Sequence, residues 1–102
     1  MTYYVYILYS ESADKYYVGS TDNWENRVKS HNETDRVTYT SKHRPWRLVA
    51  VFSAGTSRAE AMYFEKFIKK QKSRKFIERL IDTSFVPEGK LAQLVRVPHL
   101  RD

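Results

Sequence analysis

The chain has 102 residues, a mass of 12.1 kDa and 41% hydrophobic content, which allows one domain with a modest core. It has no cysteine, which excludes disulfides, thiol catalysis and cysteine-ligated metal sites. Eighteen Lys and Arg against twelve Asp and Glu give a net charge of +6, so the first partner class is a polyanion, with a merely solubilising basic surface as the plain alternative.

Residues 2–9 (TYYVYILY) form an unbroken aromatic and β-branched run. It is apolar on both faces and predicts a central strand covered on two sides. SESADK is turn-like, and residues 16–20 (YYVGS) complete a predicted hairpin. Six of the eight tyrosines lie in this first segment, which fits strand structure as readily as chemistry. Gly19 after Tyr17-Val18 marks a close backbone approach or a bulge.

Asp22 and Glu25 have capping-box spacing and predict a helix start. Trp24, Arg27, Val28 and His31 then fall on one helical face. Trp24 and Val28 suit an interior, while Arg27 and His31 share their stripe. Such a pair either forms a phosphate clamp or is structural, with Arg27 running its charge past Trp24 into water. Residues 32–45 read as a polar, irregular loop, with His43 in it, and residues 46–52 (WRLVAVF) as a third strand.

Ser57-Arg58-Ala59-Glu60 is a second capping box and opens a helix to about Gln71. Ala61, Phe64, Phe67 and Ile68 make its apolar stripe, with Glu65 at the border. An ion pair with Lys69 at i+4 by itself explains Glu65; with no second carboxylate at metal-site spacing, a hard divalent cation completed by waters and phosphate oxygens is the other reading. Ser73 caps a further short helix to about Ile81. From Thr83 the pattern fades, so residues 1–83 are expected to form the domain and residues 84–102 a partly irregular C-terminal extension.

Seven basic residues lie between positions 66 and 80, opposed only by Glu78. Lys66, Lys69, Lys70, Lys72, Arg74 and Lys75 are candidates for phosphate-backbone contact, against the reading of a solvated helix face. No apolar run reaches the roughly 18–20 residues of a membrane span, and the N-terminus does not read as a signal peptide; a cytoplasmic location without membrane contact is expected. No exposed apolar face announces a protein partner.

The order of elements is β-β-α-β-α-α, an α+β domain with a small antiparallel sheet carrying helices. Tyr4-Val5-Tyr6 and, ten residues on, Tyr17-Val18-Gly19 resemble the paired signature of the GIY-YIG nuclease superfamily. TDNWENRVKSHN resembles its first helix, with Arg27 at the motif arginine and His31 at the accompanying histidine. SRAEAMYFEKFIKKQKSRKFIERLI resembles its later helices, with Glu65 at the metal-binding glutamate. The likeness covers roughly residues 2–82 and is greatest to the small stand-alone bacterial members.

The resemblance implies a three-stranded antiparallel sheet flanked by helices. It implies hydrolysis of DNA phosphodiester bonds, in double-stranded or branched DNA, with one divalent cation, Mg2+ or Mn2+. Tyr6 and Tyr17 would line the site, one of them activating or positioning the attacking water, with Tyr17 preferred. Arg27 would stabilise the phosphorane charge, Glu65 would ligate the metal, and His31 would relay a proton or contact phosphate. Three features depart from the pattern. Tyr4 stands where the first signature glycine is expected, no asparagine follows the glutamate helix (Gln71 is a poor substitute by position), and an appended DNA-binding domain is not expected. The alternative implied by the same fold is a nucleic-acid-binding module that cuts weakly or not at all; a third reading is a basic adaptor for a protein partner.

Overall fold

The computed structural model of the chain describes residues 1–33 and 40–98. The hairpin forms as β1 (Tyr4–Ser10) and β2 (Lys15–Thr21), antiparallel and in unbroken register, with Tyr6 opposite Gly19 and Leu8 opposite Tyr17. The predicted third strand is β3 (Trp46–Ser53), antiparallel to β1. Its register shifts between Ile7 and Leu8, where Val49 is the extra residue of a bulge. The sheet order is β2-β1-β3-β4. The two-sided apolar run is therefore an inner strand, and Val5, Tyr6, Ile7 and Leu8 are all fully buried.

The sheet has four strands, not three. The added strand, β4 (Val95–Arg96), pairs Phe52 with Arg96 and Ser53 with Val95 on the outer side of β3. Two residues carry no readable alternation, so this pairing is a tertiary event. The segment before it is also integrated: Leu91 and Leu94 are buried in the same core as the later helices. The guanidinium of Arg96 donates to the carbonyls of Leu80 and Asp82 at 2.9 and 3.0 Å.

Helix α1 (Trp24–Glu33) covers one face of the sheet. Its first turn is capped by Asn23, whose side-chain oxygen accepts the Asn26 N–H at 3.1 Å, and not by the expected Asp22–Glu25 box. Asn32 and Glu33, expected in the loop, belong to this helix. A 3-10 turn (Thr40–His43) occupies another part of that loop, and the Arg44–Pro45 peptide that follows is cis. The rest of the loop, residues 34–39, and the end of the tail, residues 99–102, lie outside the described residues.

Helices α2 (Arg58–Lys70) and α3 (Arg74–Ile81) cover the opposite face. The Ser57 cap forms, with Ser57 Oγ accepting the Glu60 N–H at 3.1 Å, while the Glu60 carboxylate reaches one residue further back than a capping box and accepts the Thr56 N–H at 3.0 Å. Ala61, Phe64 and Ile68 are buried, and Phe67 meets Phe76 edge-on at 6.4 Å. Ser73 caps α3 through the Phe76 N–H at 3.1 Å. Among the described residues, no helix is long and apolar enough to cross a membrane.

The hairpin turn is tied to α3 by Arg74. Its guanidinium donates to the Asp14 carboxylate at 2.5 Å, to the Asp14 carbonyl at 3.0 Å and to Glu78 at 3.2 Å. Tyr9 donates to the same Asp14 oxygen at 2.6 Å. The Tyr9 and Arg74 hydrogen bonds hold the Asp14 carboxyl below its ordinary range.

Candidate active site

Strand parity places the predicted site residues on two faces. Tyr6, Tyr17 and Gly19 point to the α1 face, whereas Ser20 points to the α2 face. These groups approach one another because β2 is an edge strand.

On the α1 face, the Tyr6 ring lies across Gly19. A Cβ at Gly19 would stand 2.6 Å from Tyr6 Cζ and closer still to its hydroxyl. The register of β1 and β2 is continuous there, so Gly19 serves close approach and not a bulge. The Tyr6 hydroxyl is 2.9 Å from His31 Nε2, and His31 Nδ1 is 2.9 Å from Thr40 Oγ1. Both imidazole nitrogens are thus satisfied in a buried position, whichever tautomer is present.

The surroundings of His31 are held by backbone contacts. Arg44 Nε donates to the His31 carbonyl at 2.8 Å, and Trp46 Nε1 donates to the Thr40 carbonyl at 2.6 Å. The Asn32 amide bonds both ways with the Trp46 backbone, at 2.8 and 2.7 Å. The Tyr17 ring presents an edge contact to His31 at 4.9 Å and to Trp46 at 6.1 Å. His43 stands edge-on to Trp46 at 6.4 Å, as part of this wall.

Burial pushes the Tyr6 phenol up to about 12, while the Arg27 guanidinium pulls it the other way; the neighbouring Tyr17 and Glu65 add to the rise. Burial, helped by the positive charges of Arg27 and Arg44, pushes the His31 imidazole down to about 4. At neutral pH the pair is a neutral phenol beside a neutral imidazole. Arg27 itself is exposed, not on a buried face. Trp24 and Val28 cover the sheet beside it, and its guanidinium acts on the Tyr6 hydroxyl from the open side of the site.

The His31 shift has a testable consequence. The unfolded imidazole titrates near 6.5 and the folded one near 4, so between these values the unfolded chain binds the extra proton. This group's contribution is complete above about pH 6.5 and is lost as the pH falls toward 4. It amounts to up to about 3 kcal/mol. Urea midpoints from pH 7 to pH 4.5 should fall in the wild type and fall less in His31→Gln. Parallel curves for the two proteins would remove His31 as the cause.

On the α2 face, Glu65 accepts the Ser20 hydroxyl at 2.5 Å through Oε1 and pairs with Lys69 Nζ at 2.7 Å through Oε2. The i+4 ion pair expected from spacing therefore forms; the Ser20 contact was not legible in the sequence. Lys69 Nζ also stands 5.5 Å from the centre of the Tyr17 ring, bridging the two faces around β2. Among the described residues, no group of three or more His, Asp or Glu side chains gathers as a metal cage.

Of the basic candidates, Lys66, Lys69 and Lys70 are exposed on α2, Lys72 in the turn after it, and Lys75 on α3. Lys69 is engaged by Glu65, and Arg74 by Asp14 and Glu78. Thr40, Ser20 and Asn32 are the site neighbours that sequence reasoning missed. Thr40 lies in a segment without periodicity, and Ser20 has the wrong strand parity to be grouped with Tyr17.

An antiparallel sheet with one helix on one face and two on the other is the α+β fold that the resemblance to the GIY-YIG nuclease superfamily implies, with a fourth strand added. Residues 2–78 match the GIY-YIG catalytic domain, and the chain belongs to the GIY-YIG family. It is 37% identical over 75 residues to the UPF0213 protein BH0048 of Halalkalibacterium halodurans, a match covering 74% of this chain and 78% of that one. It is 38% identical over 63 residues to the UPF0213 protein YazA of Bacillus subtilis strain 168, covering 58% of this chain and 63% of that one. The solution NMR structure of BH0048 is similar at 34% identity, with a TM-score of 0.49, covering 85% of this chain and 89% of that one.

Proposed function

We propose that this chain is a DNA endonuclease that hydrolyses phosphodiester bonds with one divalent cation, magnesium or manganese, in the cytoplasm. One observation carries the reading. The Tyr6 and Tyr17 ring centres lie 6.4 Å apart, the Lys69 ammonium stands 5.5 Å from the Tyr17 ring while paired with Glu65 at 2.7 Å, and Arg27 faces the Tyr6 hydroxyl. Groups from β1, β2, α1 and α2 thus share one small site.

The donor set fits the cation that the family generally uses. Glu65 is a single partly exposed carboxylate, and an ammonium already stands against it as a stand-in cation. A hard cation held by one carboxylate, with water and phosphate oxygens filling its other positions, needs no larger cage. When bound, the cation would supply Lewis acidity to the phosphate and a more acidic water.

The chain's own residues do the rest. Arg27, exposed at the rim, offers a planar fork for two phosphate oxygens and answers the charge that builds on them. Tyr17 is half-buried and positions the attacking water, its ring fixed between His31, Trp46 and the Lys69 ammonium. Tyr6 is fully buried, so it acts through its neighbours: its hydroxyl and His31 hold the wall against which Tyr17 rests. His31, buried and bonded at both ring nitrogens, holds the Tyr6 hydroxyl in place.

Lys66, Lys70, Lys72 and Lys75 would follow the phosphate backbone of double-stranded or branched DNA. Replacing Lys66 and Lys70 by Ala should lower the magnitude of the slope of log K against log salt by about 0.9 for each phosphate that is no longer neutralised. An unchanged slope would move the DNA path elsewhere.

The reading is tested with supercoiled, linear, nicked, single-stranded and branched DNA in magnesium, manganese or EDTA. Cutting that requires the metal supports the endonuclease. Salt-sensitive binding without cutting under any of these conditions would make the chain a binding module of the same fold.

A further inference from the structure

Both oxygens of Glu65 are occupied by side chains of the protein itself, and these two partners differ in kind. Ser20 Oγ sits on a paired strand and bonds Oε1. Lys69 Nζ, at the end of a flexible side chain that is 47% exposed, bonds Oε2 at 2.7 Å. An ordinary surface pair at i,i+4 is a weak, solvated contact. This one has a second attachment, the face of the Tyr17 ring, which keeps the ammonium at the position where the two halves of the site meet.

We propose that Lys69 is the resident counter-ion of Glu65 and sets the cation affinity of the site: a divalent cation gains Oε2 only by displacing the Lys69 ammonium. This rests on the reading of Glu65 as the metal ligand. With Lys69 in place the local charge of the pair is zero; without it the carboxylate presents a full negative charge. Lys69 is therefore a positioning residue that keeps Glu65 oriented and the site weak for free cations.

The test is manganese binding by the whole chain without DNA, read from the electron paramagnetic resonance signal of the free ion. Lys69→Met removes the charge and keeps the aliphatic stem; Lys69→Arg keeps the charge. The Kd for manganese should fall about tenfold or more in Lys69→Met and stay near the wild-type value in Lys69→Arg. Glu65→Gln in the Lys69→Met background should abolish the gain. Equal, Glu65-dependent affinities in the wild type and Lys69→Met would overturn the proposal and leave the metal reading standing. Manganese binding unchanged by Glu65→Gln in either background would overturn both.

Discussion

Glu65→Gln is expected to lower DNA cleavage by at least about 10²–10³-fold while leaving the fold and DNA affinity intact. Glutamine has the shape of glutamate, so its amide oxygen still accepts the Ser20 hydroxyl from the same strand position. What is lost is the negative charge that a hard cation requires. Because the Glu65–Lys69 pair is partly exposed, breaking it should move stability little. The reaction suffers far more, since charge on the phosphate is answered in the transition state and less so in the bound substrate. Rates with and without the substitution, beside circular dichroism and binding curves, make the comparison. A fully active Glu65→Gln protein would end the assignment of Glu65 as the metal ligand.

Gly19→Ala should have the largest effect on stability of any single-methyl addition to the sheet. The new Cβ falls 2.6 Å from Tyr6 Cζ and 3.0 Å from Cε1. Tyr6 has no free direction in which to retreat: it is fully buried, its hydroxyl meets His31 at 2.9 Å, and its backbone is paired on both sides. Overpacking of this kind costs about 1–3 kcal/mol, or roughly 4–8 °C in Tm per kcal/mol for a chain of this size. The same displacement disturbs the wall behind Tyr17, so activity should fall with stability. In a Tyr6→Leu background, where the side chain ends short of Cζ, adding the methyl should cost under about 1 kcal/mol. An equal cost in both backgrounds would show that the clash with Tyr6 is not the reason for glycine.

Both predictions concern groups that local patterns singled out. Glycine directly after Tyr17-Val18 reads as a close approach or a bulge, because a strand otherwise wastes that position, and the continuous register left the close approach. Glu65 reads as exceptional because it borders the Ala61, Phe64 and Ile68 stripe. The Arg27 reading shows the limit of the same method. A helical wheel places Arg27 beside Trp24 and Val28, but it does not say how far the helix sits from the edge of its sheet. A long cationic side chain at that edge is open to water, as Arg27 is, and still acts on the Tyr6 hydroxyl inside.

Strands, helices and their order follow from the local chain, because aromatic and β-branched runs, 3.6-residue stripes and the Ser57 and Ser73 caps act over a few neighbouring residues. Even there, Asp22 and Asn23 are both cap residues, and only the folded turn chose Asn23. Long-range pairing decided the remainder. The two-residue β4 exists because the tail returns to β3, and Thr40 meets His31 because Trp46 and Arg44 hold the turn against α1. The position of β2 at the edge of the sheet brought Glu65 and Lys69 around to Tyr17, across faces that strand parity alone keeps apart. A period of two assigns each side chain to a face; which strand lies outermost depends on contacts between segments distant in the chain.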